Sequence, residues 1–185
     1  MGTQFAMPSP DVGTQEKMTL SRSIAEEAMR RVDQIDLSMV KLKLMDEEEG
    51  QGWDQAFVDH VEKRYRRYLT MIIVTPDGSP VPTQDIDLFW HQHILDTRAY
   101  AKDCDEVIGY FVHHFPYFGM RGDEDAQNLQ DAFEETKLIY SSLFGENYTT
   151  PDDSGAEAST CHKGPNNCHK CKSGCGMKCT QCKST

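Results

Sequence analysis

The chain has 185 residues, 38% of them hydrophobic, which is room for one sizeable core with appendages. Its formal charge is −11 at pH 7, yet residues 160–185 hold five lysines and no acid, leaving −16 on the residues before them. So acidic a body repels nucleic acid and anionic membrane, and no run approaches the ~20 apolar residues of a membrane span.

Residues 1–18, rich in Pro, Gly and Ser, read as a flexible arm, and a helical domain is expected over 19–148. From Ser21 to Met45 the apolar residues Ile24, Ala28, Val32, Ile35, Met39, Leu42 and Met45 fall at helical spacing, with a break near Asp36. Asp46 to Glu49, followed by Gly50 and Gly52, ends that stretch as a solvated turn. Trp53, Phe57, Val61, Tyr65 and Tyr68 place a second helix over 53–74, stopped by the turn chemistry of Thr75 to Pro82.

Thr83 opens a third helix, expected to run to the stop at Gly109. It stands where it can N-cap, and Asp85 and Asp87 suit the positive helix end. Ile86, Phe89, Trp90, Ile94, Leu95 and Ala99 surround much of the axis, so this helix is expected to cross the middle of the domain. Asp123 to Phe144 forms another amphipathic helix, carrying Leu129, Ala132, Phe133, Leu138, Ile139 and Leu143 and ended by Gly145. There is no convincing alternating strand pattern and no internal repeat. The expected fold class is all-α, a compact domain of about four to five helices, followed by a polar linker over 149–159 and an irregular cysteine-rich tail over 160–185.

The tail carries six of the seven cysteines: Cys161, Cys168, Cys171, Cys175, Cys179 and Cys182. Met177 is its one aliphatic or aromatic residue, so thiolate–metal bonds or disulfides must hold whatever fixed shape it has. The CxxC pairs Cys168/Cys171 and Cys179/Cys182 each suit two adjacent corners of a tetrahedron and together complete one zinc site. Cys161, Cys175, His162 and His169 remain for a cluster with a second Zn(II) or with Cu(I). A disulfide framework would also use six cysteines in an oxidising compartment. The amino terminus, MGTQFAMPSPDVG, has neither a basic n-region nor an apolar h-region, so reduced, metal-binding thiolates in a cytoplasmic protein are the expectation.

Four of the seven histidines fall between His91 and His114. Asp87 and His91 are four apart on one helix face, where a carboxylate and an imidazole reach one ion or each other, whereas His91 and His93 point about 200° apart. His93 and Cys104 would be ~16 Å apart along one continuous helix, too far for a common ion. The loop after Gly109 can bring His113 or His114 back onto the helix, and Asp87, His91 and His114 would then form a 2-His-1-carboxylate set with open positions, suited to Zn(II) or Fe(II). His93 and His113 are alternative or outer ligands, and Tyr100 and His93 the candidate proton donors. The competing reading is structural: His91 bonded to Asp87 or to backbone, with Phe115, Tyr117 and Phe118 plugging the core and Cys104 a small buried hydrophobe.

KLKLMDEEEGQGW (residues 41–53), DLFWHQHILDTRAYAKDC and HHFPYFGMRG together resemble the bacterial branch of the glycine-rich domain-containing protein-like family, whose domain also stands at the front of larger plant proteins. The resemblance spans about residues 33–145. It implies that Asp87, Trp90, His91, His93, Tyr100 and His114 match the family pattern, and it brings no reaction with it. The chain lacks the glycine-rich region of the plant members, and the tail lies outside the match.

Three functional expectations follow. The first is a cytoplasmic metal-binding protein that handles Zn(II) or Cu(I), with Fe(II) an option at the histidine site. The second is a metal-dependent hydrolase or non-haem iron oxygenase built on Asp87, His91 and His114. The third is a precursor peptide with a helical leader and a modified tail. A metal ion is the expected partner, alongside a protein partner. Nucleic acid and membrane are disfavoured, and no feature of the sequence sets an oligomeric state.

Overall fold

The computed structural model describes residues 12–148, and the side chains of residues 22–148. Residues 1–11, the linker over 149–159 and the tail with all six of its cysteines lie outside the described residues. In order come α1 (Val12–Val32), α2 (Ser38–Met45), α3 (Gln55–Val74), α4 (Gln84–Leu95), α5 (Thr97–Asp103) extended by a π turn (Cys104–Ile108), and α6 (Asp123–Phe144). No β-strand occurs among the described residues, so the domain is all-α. No described helix is long and apolar enough to cross a membrane.

Residues 12–18, expected in the arm, are helical instead. From Thr14 to Leu20 the chain has no Gly or Pro and includes the good helix formers Gln15, Glu16, Lys17 and Met18. α1 ends close to the expected break for a tertiary reason. Arg66 of α3 donates to the carbonyl oxygens of Val32 at 2.6 Å and Ile35 at 2.9 Å, supplying partners that a helix C-terminus lacks. Asp36 then accepts from the Ser38 N–H at 3.0 Å and starts α2 on a new phase. The phase change moves the apolar face, so Val40 and Leu44 are buried while Met39 and Leu42 of the expected stripe are exposed, as is Ile24 on α1.

α3, not the helix after Thr83, occupies the middle. Nine of its residues are buried, Arg64 and Thr70 among them, and it packs against α1, α2, α4 and α6. Asp54 caps it, accepting from the Phe57 N–H at 2.9 Å. α4 is a side wall of this core, with Leu95 exposed at its far end. Buried Arg64 ties three segments together: it ion-pairs with Asp85 and donates to Thr83 Oγ1 and to the Tyr148 carbonyl, each at 3.0 Å. Thr83 holds the N-cap position of α4, but its hydroxyl donates to Asp85 at 2.6 Å instead of capping a backbone N–H.

The single helix expected over 83–109 is broken at Asp96. Its backbone leaves the helical region at φ −80°, ψ 71°, and its carboxylate accepts from the Ala99 N–H at 3.3 Å, starting α5 as a new helix. An Asp–Thr pair offers the backbone that local alternative to helical bonding. α5 closes in the π turn, where the Gly109 N–H reaches the Cys104 carbonyl at 2.8 Å, and Gly109 stops it at φ 97°.

Candidate metal centre

Asp87 sits in the first turn of α4, where the helix dipole favours an ionised carboxylate. His91 follows one turn later, and its Nδ1 lies 3.3 Å from Asp87 Oδ2. His114 arrives from the loop between the π turn and α6, with Nε2 3.1 Å from Asp87 Oδ1. Each carboxylate oxygen thus meets one imidazole, and one ligand atom from each of the three residues lies within 4.8 Å of the others. In a zinc tetrahedron with bonds of ~2.0–2.1 Å, adjacent donors are about 3.3 Å apart; the two carboxylate–imidazole separations match that spacing but use different oxygens of Asp87, so a common ion would need one oxygen to approach both rings. The hydrogen bond to Asp87 raises the His91 pKa above its ordinary 6.5, against an opposing effect of burial.

The loop that carries His114 is clamped from several sides. Trp90 Nε1 donates to the Tyr100 hydroxyl at 3.0 Å, and that hydroxyl donates to the Val112 carbonyl at 2.6 Å, two residues before His114. Tyr110 donates to the Ile72 carbonyl on α3 at 3.1 Å. Asp125 of α6 accepts from the backbone N–H groups of Gly119 at 2.7 Å and Arg121 at 3.2 Å. Between these anchors the His114 ring is held by Trp90, 4.7 Å away centroid to centroid, and by His91 at 4.4 Å.

Of the candidate ligands and proton donors among the described residues, Asp87, His91 and His114 are brought together, whereas His93, His113 and Tyr100 are not part of that set. His93 is buried on another side of α4: its Nδ1 lies 2.9 Å from the Tyr65 hydroxyl and its Nε2 3.0 Å from Asp103. A carboxylate only accepts, so Nε2 carries the proton and Nδ1 accepts from Tyr65, which satisfies a neutral imidazole completely. Burial lowers the His93 pKa in keeping with that state. The break at Asp96 is what lets residues ten apart meet, replacing the long axial separation of a continuous helix. His113 is exposed, with its ring 4.9 Å from that of Phe111. Cys104 is buried, and burial raises its thiol pKa. The plug expected of the HHFPYFG segment is partial, because Phe118 packs on the core while Phe115 and Tyr117 are exposed.

Sequence reasoning missed the clamp and the Tyr65–His93–Asp103 chain. Tyr65 stood out only as one of an apolar helical series, and Asp103 carried no signal. A cavity of about 450 Å³ also adjoins the cluster, with Asp87 and His114 in its lining and His91 outside it.

Together these features define a helical domain with a carboxylate and two imidazoles gathered beside an aromatic-walled cavity. The chain belongs to the UCP032817-like family, which matches residues 28–136. It is similar to Glycine-rich domain-containing protein 1 of Arabidopsis thaliana, 30% identical over 96 residues that make up 50% of this chain and 12% of that protein. Glycine-rich domain-containing protein 2 of the same plant is 29% identical over 99 residues, 51% of this chain and 12% of its own length. The chain thus spans about an eighth of these relatives. No solved structure matches it.

Proposed function

We propose that this protein binds a transition-metal ion through Asp87, His91 and His114, and that its cysteine-rich tail forms a second, thiolate site in the same chain. The observation that carries the reading is the convergence of three ligand atoms within 4.8 Å, from residues that the sequence separates by up to 27 positions. Two imidazoles and a carboxylate suit Zn(II) or Fe(II), whereas the tail thiolates suit Zn(II) or Cu(I), so the two sites would hold different ions or exchange one. Handling of Zn(II) or Cu(I) in the cytoplasm is the role this combination favours. Metal-dependent hydrolysis or oxygenation is a second reading, supported by the cavity beside the cluster. In that reading Tyr100 and His93 are positioning groups, since neither lines the cavity and both have their polar atoms engaged.

A metal that binds only the folded state stabilises it by an amount that grows with the logarithm of the free metal concentration over its Kd. Thermal melts of the full chain, as isolated and after chelation, should differ, and part of that difference should vanish in His91→Ala. His91 is the most exposed of the three, its side chain 41% accessible, so the substitution leaves the core intact. A His91→Ala chain whose response to chelator and to added Zn(II) or Fe(II) equals that of the unaltered chain would identify the cluster as a hydrogen-bonded structural element.

A further inference from the structure

The cavity beside the cluster is lined by the polar Asp87, His114 and Arg121 and by the apolar walls of Tyr68, Val81, Trp90, Phe118 and Leu129. Its volume of about 450 Å³ falls within the range of small-molecule sites, roughly 300–1,000 Å³. The walls are held in place without a ligand. Tyr68 donates to the Pro80 carbonyl at 3.1 Å, Tyr100 fixes Val112, and Asp125 fixes Gly119 and Arg121. A cavity pinned on each side costs little ordering when it is filled.

From this geometry we infer that the cavity binds a small carboxylic acid with an aromatic or branched apolar body, its carboxylate completing the coordination of the ion at Asp87, His91 and His114. The inference rests on the metal reading above. Three protein ligands leave a tetrahedral ion one position to fill, and two of the three line the cavity. A divalent ion with one carboxylate and two neutral imidazoles keeps a net positive charge, which an anionic head group neutralises. The aromatic walls of Tyr68, Trp90 and Phe118 then take the apolar body.

Benzohydroxamate and acetohydroxamate share a metal-ligating head that loses its proton on binding the ion and differ only in body, so their ratio isolates the cavity from the ion. Titrated into the zinc-loaded full chain and followed at the Trp90 indole N–H by NMR, benzohydroxamate is expected to bind at least about tenfold more tightly. Val81→Phe, which pushes a larger ring into the cavity from its wall, should abolish the preference while the zinc held at the cluster stays unchanged, at a cost in stability from overpacking. If that variant does not fold, the ratio in the unaltered chain decides alone. Zinc retained at the cluster with equal affinity for the two probes would overturn the carboxylic acid site and leave the metal reading standing. A cluster that holds neither Zn(II) nor Fe(II) would remove the metal reading, and this inference with it.

Discussion

His93 receives a hydrogen bond from Tyr65 on one ring nitrogen and donates one to Asp103 from the other, in a site from which water is almost excluded. Replacing it with leucine removes the partner of a buried hydroxyl and of a half-buried carboxylate. His93→Leu should therefore cost about 1–3 kcal/mol at neutral pH, with no change in the metal held by Asp87, His91 and His114. The pH dependence has a definite sign. Burial puts the folded-state pKa of His93 below its ordinary 6.5, so between these values the unfolded chain binds the extra proton. The contribution of neutral His93 is complete above 6.5 and is lost as pH falls toward the folded-state value. Denaturant titrations of the two proteins should show the stability gap narrowing as the solution is acidified. A gap that widened would mean that His93 is protonated in the folded protein.

At the scale of elements, the loop from Gly109 to Gly122 decides whether His114 reaches α4, and Gly119 is its tightest point. Gly119 has φ 83°, and an added Cβ would come within 2.5 Å of Leu129 Cδ2. Gly109, at φ 97°, has open space where its Cβ would be. Gly109→Ala should thus cost only the left-handed strain, about 1 kcal/mol, and Gly119→Ala about 1–3 kcal/mol more through overpacking. Equal losses in denaturant titration would show that Leu129 yields freely. Helix ends with a local chemical signal were legible in the sequence where glycine supplies it: the Gly109 stop and the Gly145 stop of α6 lie where expected, whereas the apolar spacing begins α3 at Trp53 and passes over its Asp54 cap. The break at Asp96 was not legible either, because the apolar pattern runs straight through it and only the packing of α5 settles which local bonding wins. Nor was the central place of α3, since periodicity reports which face is buried but not how many neighbours bury it.

Over the whole molecule, two chemistries share one chain: an acidic helical body with a carboxylate and two imidazoles gathered together, and a lysine-bearing tail with six cysteines. Two of the three residues of the body's site could be read from spacing alone, since Asp87 and His91 are one turn apart on any helix. The fold-back of His114 was legible only as a loop of suitable length, because the hydrogen bonds that close it, Trp90 to Tyr100 to Val112, are tertiary. Whether the cluster holds an ion is read most directly by metal analysis of the full chain with all six tail cysteines changed to serine, purified anaerobically, beside the same protein carrying Asp87→Asn and His114→Ala. The expected result is about one equivalent of Zn(II) or Fe(II) in the first protein and almost none in the second. No metal in the first, or the same amount in both, would contradict a metal centre at Asp87, His91 and His114.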